Sequence, residues 1–259
     1  WNRGRDKKVI HIDFAEAEVD EYYHPEVELV ADIAGTLWEL NERFAGISDD
    51  KGAWAAKYRK LILDDINEYN DDTAFPVKPQ KIIHEIRKAL SDDDIVISDV
   101  GAHKLWIARM YIAKSPNSCL ISNGLASMGI ALPGAIAAKL IYPDRKILAV
   151  CGDGGFLMSA GEILTARRYN IPVKIVVFTD GELNLIRLKK SWQDLTPYGT
   201  MLYSGDLFGA ETFFGVRVFR VESENEMRNA LRESMLLNEP VIINAAIDPV
   251  DYERLIVKR

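Results

Sequence analysis

Two aspartates, Asp153 and Asp180, stand where their carboxylates could share one cation. Asp153 lies in the run Gly152-Asp153-Gly154-Gly155, directly after the unbroken apolar stretch Ile147 to Cys151, and Asp180 closes a second stretch, Val173 to Phe178, by way of Thr179. Apolar runs without alternation are expected of strands buried on both faces of a parallel sheet. Between them Phe156, Leu157, Ala160, Ile163, Leu164 and Arg167 recur at helical spacing. That spacing predicts one helix with its apolar face on the sheet and Glu162, Arg167 and Arg168 near solvent. Consecutive parallel strands joined by one helix lie side by side, so both aspartates are expected at the carboxyl edge of the sheet, where open α/β folds bind ligands. The glycines let backbone approach a ligand, and a helix start favours an anion such as a phosphate at Gly154 and Gly155. Paired carboxylates beside a phosphate cradle suit a hard divalent cation such as Mg²⁺, which shares its oxygen ligands with a diphosphate. The alternative for the same residues is an Asp helix cap in an ordinary doubly wound fold. No GxGxxG or GKS/GKT continuation follows, which counts against a dinucleotide turn and a P-loop.

The run from GDG through helix and strand to Thr179-Asp180 resembles the thiamine diphosphate motif, which ends on an Asn-Asn pair. The resemblance extends to IVISDVGAHKLWIARMY (Ile95 to Tyr111) and LISNGLASMGIALPGAIAAKLIYPDRK (Leu120 to Lys146), which are similar to successive segments of acetolactate synthases. The earlier KKVIHIDFAEAEVDEYYHPEVELVADIAGTLWEL (Lys7 to Leu40) resembles the end of that family's central domain. One glycine motif is weak evidence; several segments in the correct order are strong. They cover most of the chain, which is thus similar to the C-terminal part of a catabolic acetolactate synthase.

The resemblance implies that Asp153, the side chain of Asp180 and the backbone carbonyl of Glu182 hold Mg²⁺. It places Gly152, Gly154 and Gly155 on the diphosphate and carries Leu183, Asn184 and Leu185 into the cofactor site. Thr179-Asp180 departs from Asn-Asn: Asp180 keeps a ligand oxygen but adds a negative charge, which metal and helix start must offset. Gly101 and His103 follow a buried strand (Ile95 to Ile97, with Asp99 near its end) and are implied to face the same crevice. His103 is either a donor to a phosphate oxygen or a surface loop histidine. Met128 corresponds to the bulky residue that props the cofactor into its bent shape, or is core filler. The carbonyl of Ala126 matches the acceptor for the cofactor's amine.

The implied activity is condensation of two pyruvates to 2-acetolactate and CO₂, with pyruvate or a related 2-oxo acid as substrate. The family's catalytic glutamate lies in an N-terminal domain of a neighbouring subunit and is not in this chain. No residue here is therefore assigned as catalytic, and the chain is expected to be inactive alone. A homo-oligomer, dimer or tetramer, of a longer chain is implied; Trp106, Ile107 and Met110 belong either to such an interface or to the core. Asp180, and Lys189 where the biosynthetic enzymes place a Trp, favour the catabolic branch. The stretch Gln193 to Phe208, a place where substrate selectivity and active-site closure could be settled, departs from the family segments quoted above. Rival readings are another thiamine diphosphate-dependent 2-oxo acid decarboxylase or pyruvate oxidase, or a non-catalytic module on the same fold.

The elements that must position these residues follow from the rest of the chain. With 48% hydrophobic and 27% charged residues, 259 residues suffice for one or two domains with an ample core. No apolar run approaches membrane-spanning length. The net charge of −7 argues against nucleic acid or anionic lipid as a main partner. Cys119 and Cys151 are too few for a disulfide framework, and a reducing cytoplasm is the default. Val9 to Ile12 reads as a lone buried strand and Val27 to Leu40 as a helix, too little to close a core, so the chain is expected to be a piece of a longer polypeptide cut in its central domain. Residues 1–45 are read as the end of that domain and 46–75 as a linker with Trp54, Tyr58, Leu61 and Ile66 at helical spacing. Residues 76–259 are read as the diphosphate-binding domain, entered at Pro76 and Pro79. There a helix from Gln80 to Leu90, strands near Ile95, Ile147, Val173, Val216 and Val241, and a helix from Glu224 to Leu237 predict an α/β, doubly wound, mostly parallel sheet.

Overall fold

The computed structural model describes residues 2–47 and 52–255; Trp1, residues 48–51 of the expected linker and residues 256–259 lie outside the described residues. By contacts the chain divides into two units, Trp1–Lys60 and Leu61–Arg259.

In the first unit, β1 (Ile10–Asp13) and β2 (Val27–Val30) pair in parallel, from Ile10 opposite Val27 to Asp13 opposite Val30. Helix α1 (Ile33–Phe44) follows, capped by Asp32, whose carboxylate accepts from the Gly35 N–H at 2.6 Å. The single helix expected from Val27 to Leu40 is thus a strand and a helix. Asp32 makes a helix start at residue 33 favourable, while Val27 to Val30, with its two β-branched valines, finds an open strand edge. The first strand, in turn, is neither lone nor buried: β2 is its partner and Ile10 is 65% exposed. Helix α2 (Gly52–Asn67), within which the division at Lys60 falls, carries the helical spacing read in the connecting segment, with Trp54 and Tyr58 rings 4.7 Å apart.

In the second unit, α3 (Pro79–Ala89) leads into β3 (Ile95–Ser98), α4 (Ala102–Met110), β4 (Cys119–Ile121) and α5 (Ala131–Ile141). Then come β5 (Ile147–Gly152), α6 (Asp153–Ser159), α7 (Glu162–Arg168), β6 (Lys174–Thr179) and α8 (Asn184–Trp192). The chain closes with β7 (Thr212–Phe213), β8 (Val216–Val221), α9 (Glu224–Leu236), β9 (Val241–Ala246) and a 3₁₀ turn, Val250–Leu255. The strands form one sheet in the order β4-β3-β5-β6-β9-β8-β7, parallel except for β7 against β8.

Alternate residues of each central strand feed opposite layers, which is why these strands are unbroken apolar runs. Leu148, Val150, Val176 and Ile243 pack with Ile82, Ile86 and Met227. Ile147, Ala149, Ile175 and Ile242 pack with Leu132, Phe156 and Ile163. Trp106, Ile107 and Met110 belong to the first of these layers, 3%, 2% and 5% exposed, which resolves them as core rather than interface. The helix expected after the glycine turn is broken at Ala160-Gly161 into α6 and α7. Across the two segments Phe156, Ala160 and Ile163 are buried while Leu157 and Leu164 are exposed, so only one edge of the expected apolar stripe faces the sheet.

Candidate functional site

Strand β5 ends at Gly152 and β6 at Thr179, and the two are neighbours, with Gly152 opposite Phe178. Asp153 and Asp180 therefore leave the same edge side by side. Asp153 is buried. Its Oδ1 accepts from the Gly154 N–H at 2.8 Å, and its Oδ2 from the N–H groups of Gly181 at 2.7 Å and Asp180 at 3.2 Å and from the Tyr203 hydroxyl at 2.8 Å. Asp180 accepts from the Glu182 N–H at 3.2 Å and the Asn184 side-chain amide at 2.7 Å. Burial, reinforced by the neighbouring Asp153 charge, pushes the Asp180 carboxyl up to about 7. Burial likewise raises the Tyr203 phenol, with the Asp153 charge adding to it.

The donors around this pair are dipoles, not cations, so the cluster is short of positive charge. A divalent cation supplies what it lacks, and the donor set fits one. Among the described residues no group of three His, Cys, Asp or Glu side chains could hold a metal. The implied set needs only two carboxylates and the Glu182 carbonyl. That carbonyl accepts from the Asn184 N–H at 2.9 Å, which leaves its second lone pair. The Glu182 side chain is engaged elsewhere, by the Thr200 hydroxyl at 2.6 Å and by Arg187 at 3.2 Å.

A cavity of about 380 Å³ opens at this edge. Gly101, His103, Ala126 and Met128 line one part of it, and Gly152, Asp153, Gly154 and Gly155 its floor. Asp180, Glu182, Leu183, Asn184 and Leu185 line the rest, so every site residue named from the sequence meets in one cavity, joined by Lys104, Lys189 and Tyr252. The floor must be glycine. A Cβ at Gly154 would stand 2.8 Å from Leu183 Cδ2 and 3.4 Å from Met128 Cε; one at Gly155 would stand 2.6 Å from Asp99 Oδ1. His103 is no surface loop residue: it is 3% exposed, with its Nε2 buried and unpartnered. Burial pushes the imidazole down to about 4, against the pull of Asp99, so the ring is neutral near pH 7. A buried ring nitrogen without a partner at the wall of a cavity fits an anionic ligand. Met128 is half-buried over the floor, and Ala126 sits at φ +51°, a backbone turn within the same loop.

Three contributors were not assigned from sequence. Asp99 lies under the floor. Tyr203 and Leu202 reach it from the stretch 193–208, which the sequence reading left aside and which docks through Leu183 N–H to Thr200 C=O at 2.8 Å and Leu202 N–H to Gly181 C=O at 2.9 Å. Leu202 Cδ1 comes within 3.3 Å of a Cβ position at Gly154. Only position relative to the floor gives these residues a role, and no local pattern announces it.

Residues 99–245 match the family "Thiamine pyrophosphate enzyme, C-terminal TPP binding domain". The chain is 34% identical to a "Probable acetolactate synthase large subunit" of Methanococcus aeolicus, over 93% of this chain and 43% of that protein. It is 33% identical to an "Acetolactate synthase" of Bacillus subtilis, over 97% and 44%, and 33% identical to "Acetolactate synthase, catabolic" of Raoultella terrigena, over 97% and 45%. It thus spans less than half the length of these relatives. A Rhodococcus jostii RHA1 thiamine diphosphate-dependent 4-hydroxybenzoylformate decarboxylase shares the fold, with a TM-score of 0.61 and 21% identity over 66% of this chain and 32% of that one. The glycine floor, the paired aspartates at adjacent strand ends and the match spanning both have one explanation: the chain belongs to the thiamine pyrophosphate enzymes and carries their C-terminal cofactor-binding domain.

Proposed function

We propose that this chain is the cofactor-binding portion of an acetolactate synthase, which joins two pyruvates into 2-acetolactate with loss of CO₂. The observation that carries the reading is the pair Asp153 and Asp180 beside the Gly154-Gly155 floor, in a chain a third identical to acetolactate synthases from three organisms. In this reading residues 1–45 end a central domain, 46–75 link it, and 76–259 form the diphosphate-binding domain of a longer, homo-oligomeric protein.

Thiamine diphosphate, when bound, supplies the carbanion chemistry that lets a 2-oxo acid lose CO₂ and pass on its acyl group. The protein's own residues bind and orient. Asp153, Asp180 and the Glu182 carbonyl hold Mg²⁺; the N–H groups at the start of α6 and the His103 ring face the diphosphate. Met128, leaning over Gly154, and the Ala126 backbone set the cofactor's posture. Leu183, Leu185 and Tyr252 exclude water from the same cavity. No side chain here acts as general base, so cofactor binding without turnover is the expected behaviour of this chain alone.

Calorimetric titration with thiamine diphosphate, with and without Mg²⁺, tests the reading. Saturable binding that needs the metal and disappears in Asp153→Ala with Asp180→Ala is expected; binding that survives the double substitution refutes the metal assignment. A second reading, a different 2-oxo acid enzyme on the same scaffold, is favoured by the fold shared with a thiamine diphosphate-dependent 4-hydroxybenzoylformate decarboxylase. Products formed from pyruvate by the full-length protein, acetolactate against acetaldehyde or acetyl phosphate, separate the two.

A further inference from the structure

Asp99 follows β3 and is 1% exposed, yet its carboxylate bonds to no cation. Its partners are three backbone N–H groups. Oδ1 accepts from Val100 at 2.7 Å and Gly129 at 2.9 Å, and Oδ2 from Ala131 at 2.9 Å. A buried carboxylate is costly unless hydrogen-bonded, and bonds from amides to an ionised oxygen are strong for both partners. The Gly129 and Ala131 amides lie 30 and 32 residues away, in the loop that carries Met128 and at the start of α5.

That loop has little of its own to fix it. Ala126 and Gly129 turn through φ +51° and +85°, and α5 has no side-chain cap from its own chain end, Ile130 occupying the position. Asp99 supplies the missing cap from the neighbouring strand. The other side of the same carboxylate faces the diphosphate floor, where a Cβ at Gly155 would lie 2.6 Å from Oδ1. A Cβ at Gly129 would lie 3.2 Å from Met158 Cβ in α6, so loop and floor are in contact. One carboxylate therefore touches both walls of the cavity.

We propose that Asp99 is a positioning residue that sets the Met128 loop at a fixed height above the Gly154-Gly155 floor, and so selects the bent organic part of the cofactor rather than the diphosphate alone. This rests on the thiamine diphosphate reading. Asp99 itself touches no ligand; it acts through the Gly129 and Ala131 amides.

Asp99→Asn keeps the shape but turns one acceptor oxygen into a donor facing an N–H. Three measurements on this chain read the result: hydrogen exchange of the Gly129 and Ala131 amides, titration with thiamine diphosphate and Mg²⁺, and titration with inorganic pyrophosphate and Mg²⁺. The expected outcome is at least tenfold faster exchange at Gly129 and Ala131 with β5 and β6 unchanged, at least tenfold weaker thiamine diphosphate binding, and pyrophosphate binding within threefold. Equal loss of both ligands, or unchanged exchange, overturns the proposal. If Asp99→Asn does not fold, Gly155→Ala, which pushes on Oδ1 from the floor while keeping the charge, must speed exchange at Gly129, and unchanged exchange there overturns the proposal. Should the unaltered chain bind no thiamine diphosphate, the cofactor reading fails, while exchange at Gly129 and Ala131 still decides whether Asp99 holds the loop.

Discussion

His103 shows what a single buried titratable group does to the molecule. Its folded pKa, about 4, lies below the ordinary histidine value because burial disfavours the imidazolium. Between pH 6.5 and 4 the unfolded chain then binds a proton that the folded chain does not, so stability is complete above about 6.5 and falls as pH falls toward 4. The loss is on the order of 3 kcal/mol. Urea denaturation across this range checks it: His103→Asn should flatten the acid limb, and an unchanged limb would assign it to other groups. Anion binding in the cavity favours the imidazolium, so cofactor binding at pH 5–6 should take up protons, seen as a dependence of calorimetric heat on buffer ionisation enthalpy. Tyr203→Phe removes one of the donors on Asp153 and should cost about 1–2 kcal/mol, less with Mg²⁺ present, because the cation offsets the same charge. Asp153, Asp180 and the glycines were legible because residue type, chain order and adjacent strands suffice to bring them together. Asp99 and Tyr203 were not, because each acts on a partner tens of residues away through backbone or hydroxyl hydrogen bonds that leave no periodic trace.

At the scale of elements, the buried strands were the most readable part, since Ile147 to Cys151 and Ile175 to Phe178 are apolar at every position. Short strands were less so: β7 has two residues and is held by pairing with β8 rather than by its own pattern. Residues 27–30 went wrong because two valines and a glutamate satisfy helical and extended spacing alike until the Asp32 cap divides them. The break between α6 and α7 could not be read either, as Gly161 is tolerated within many helices. The burial on its two sides is testable. Phe156, fully buried in α6, packs its ring against Phe208 and Phe213 with centroids 5.3 and 5.6 Å away, which ties the diphosphate floor to residues 208–213. Phe156→Ala should cost about 3–5 kcal/mol and weaken cofactor binding as well. Leu164→Ser, on the exposed side of α7, should change stability by no more than about 0.5 kcal/mol. Equal losses for the two would mean that Leu164 is buried in solution.

Across the whole molecule, the two units differ in what holds them. Every assigned site residue lies in Leu61–Arg259, whose sheet is covered on both faces, whereas among the described residues of Trp1–Lys60 only Asn2 and Val9 are buried. A two-stranded sheet with one helix is marginal by itself. Its amides should therefore exchange far faster than those of β5, β6 and β9. Ligand linkage then separates the units in one experiment. Thiamine diphosphate with Mg²⁺ at one hundred times its dissociation constant adds about 2.7 kcal/mol to whatever unit binds it. For a body of some 200 residues that raises the melting midpoint by roughly 5–10 °C. Scanning calorimetry should show the main transition moving by that amount, while exchange protection in β1, β2 and α1 stays as it was. A gain of protection in Trp1–Lys60 on binding would show instead that the cofactor orders both units together, and the energetic boundary of the cofactor-binding domain would then lie before Leu61.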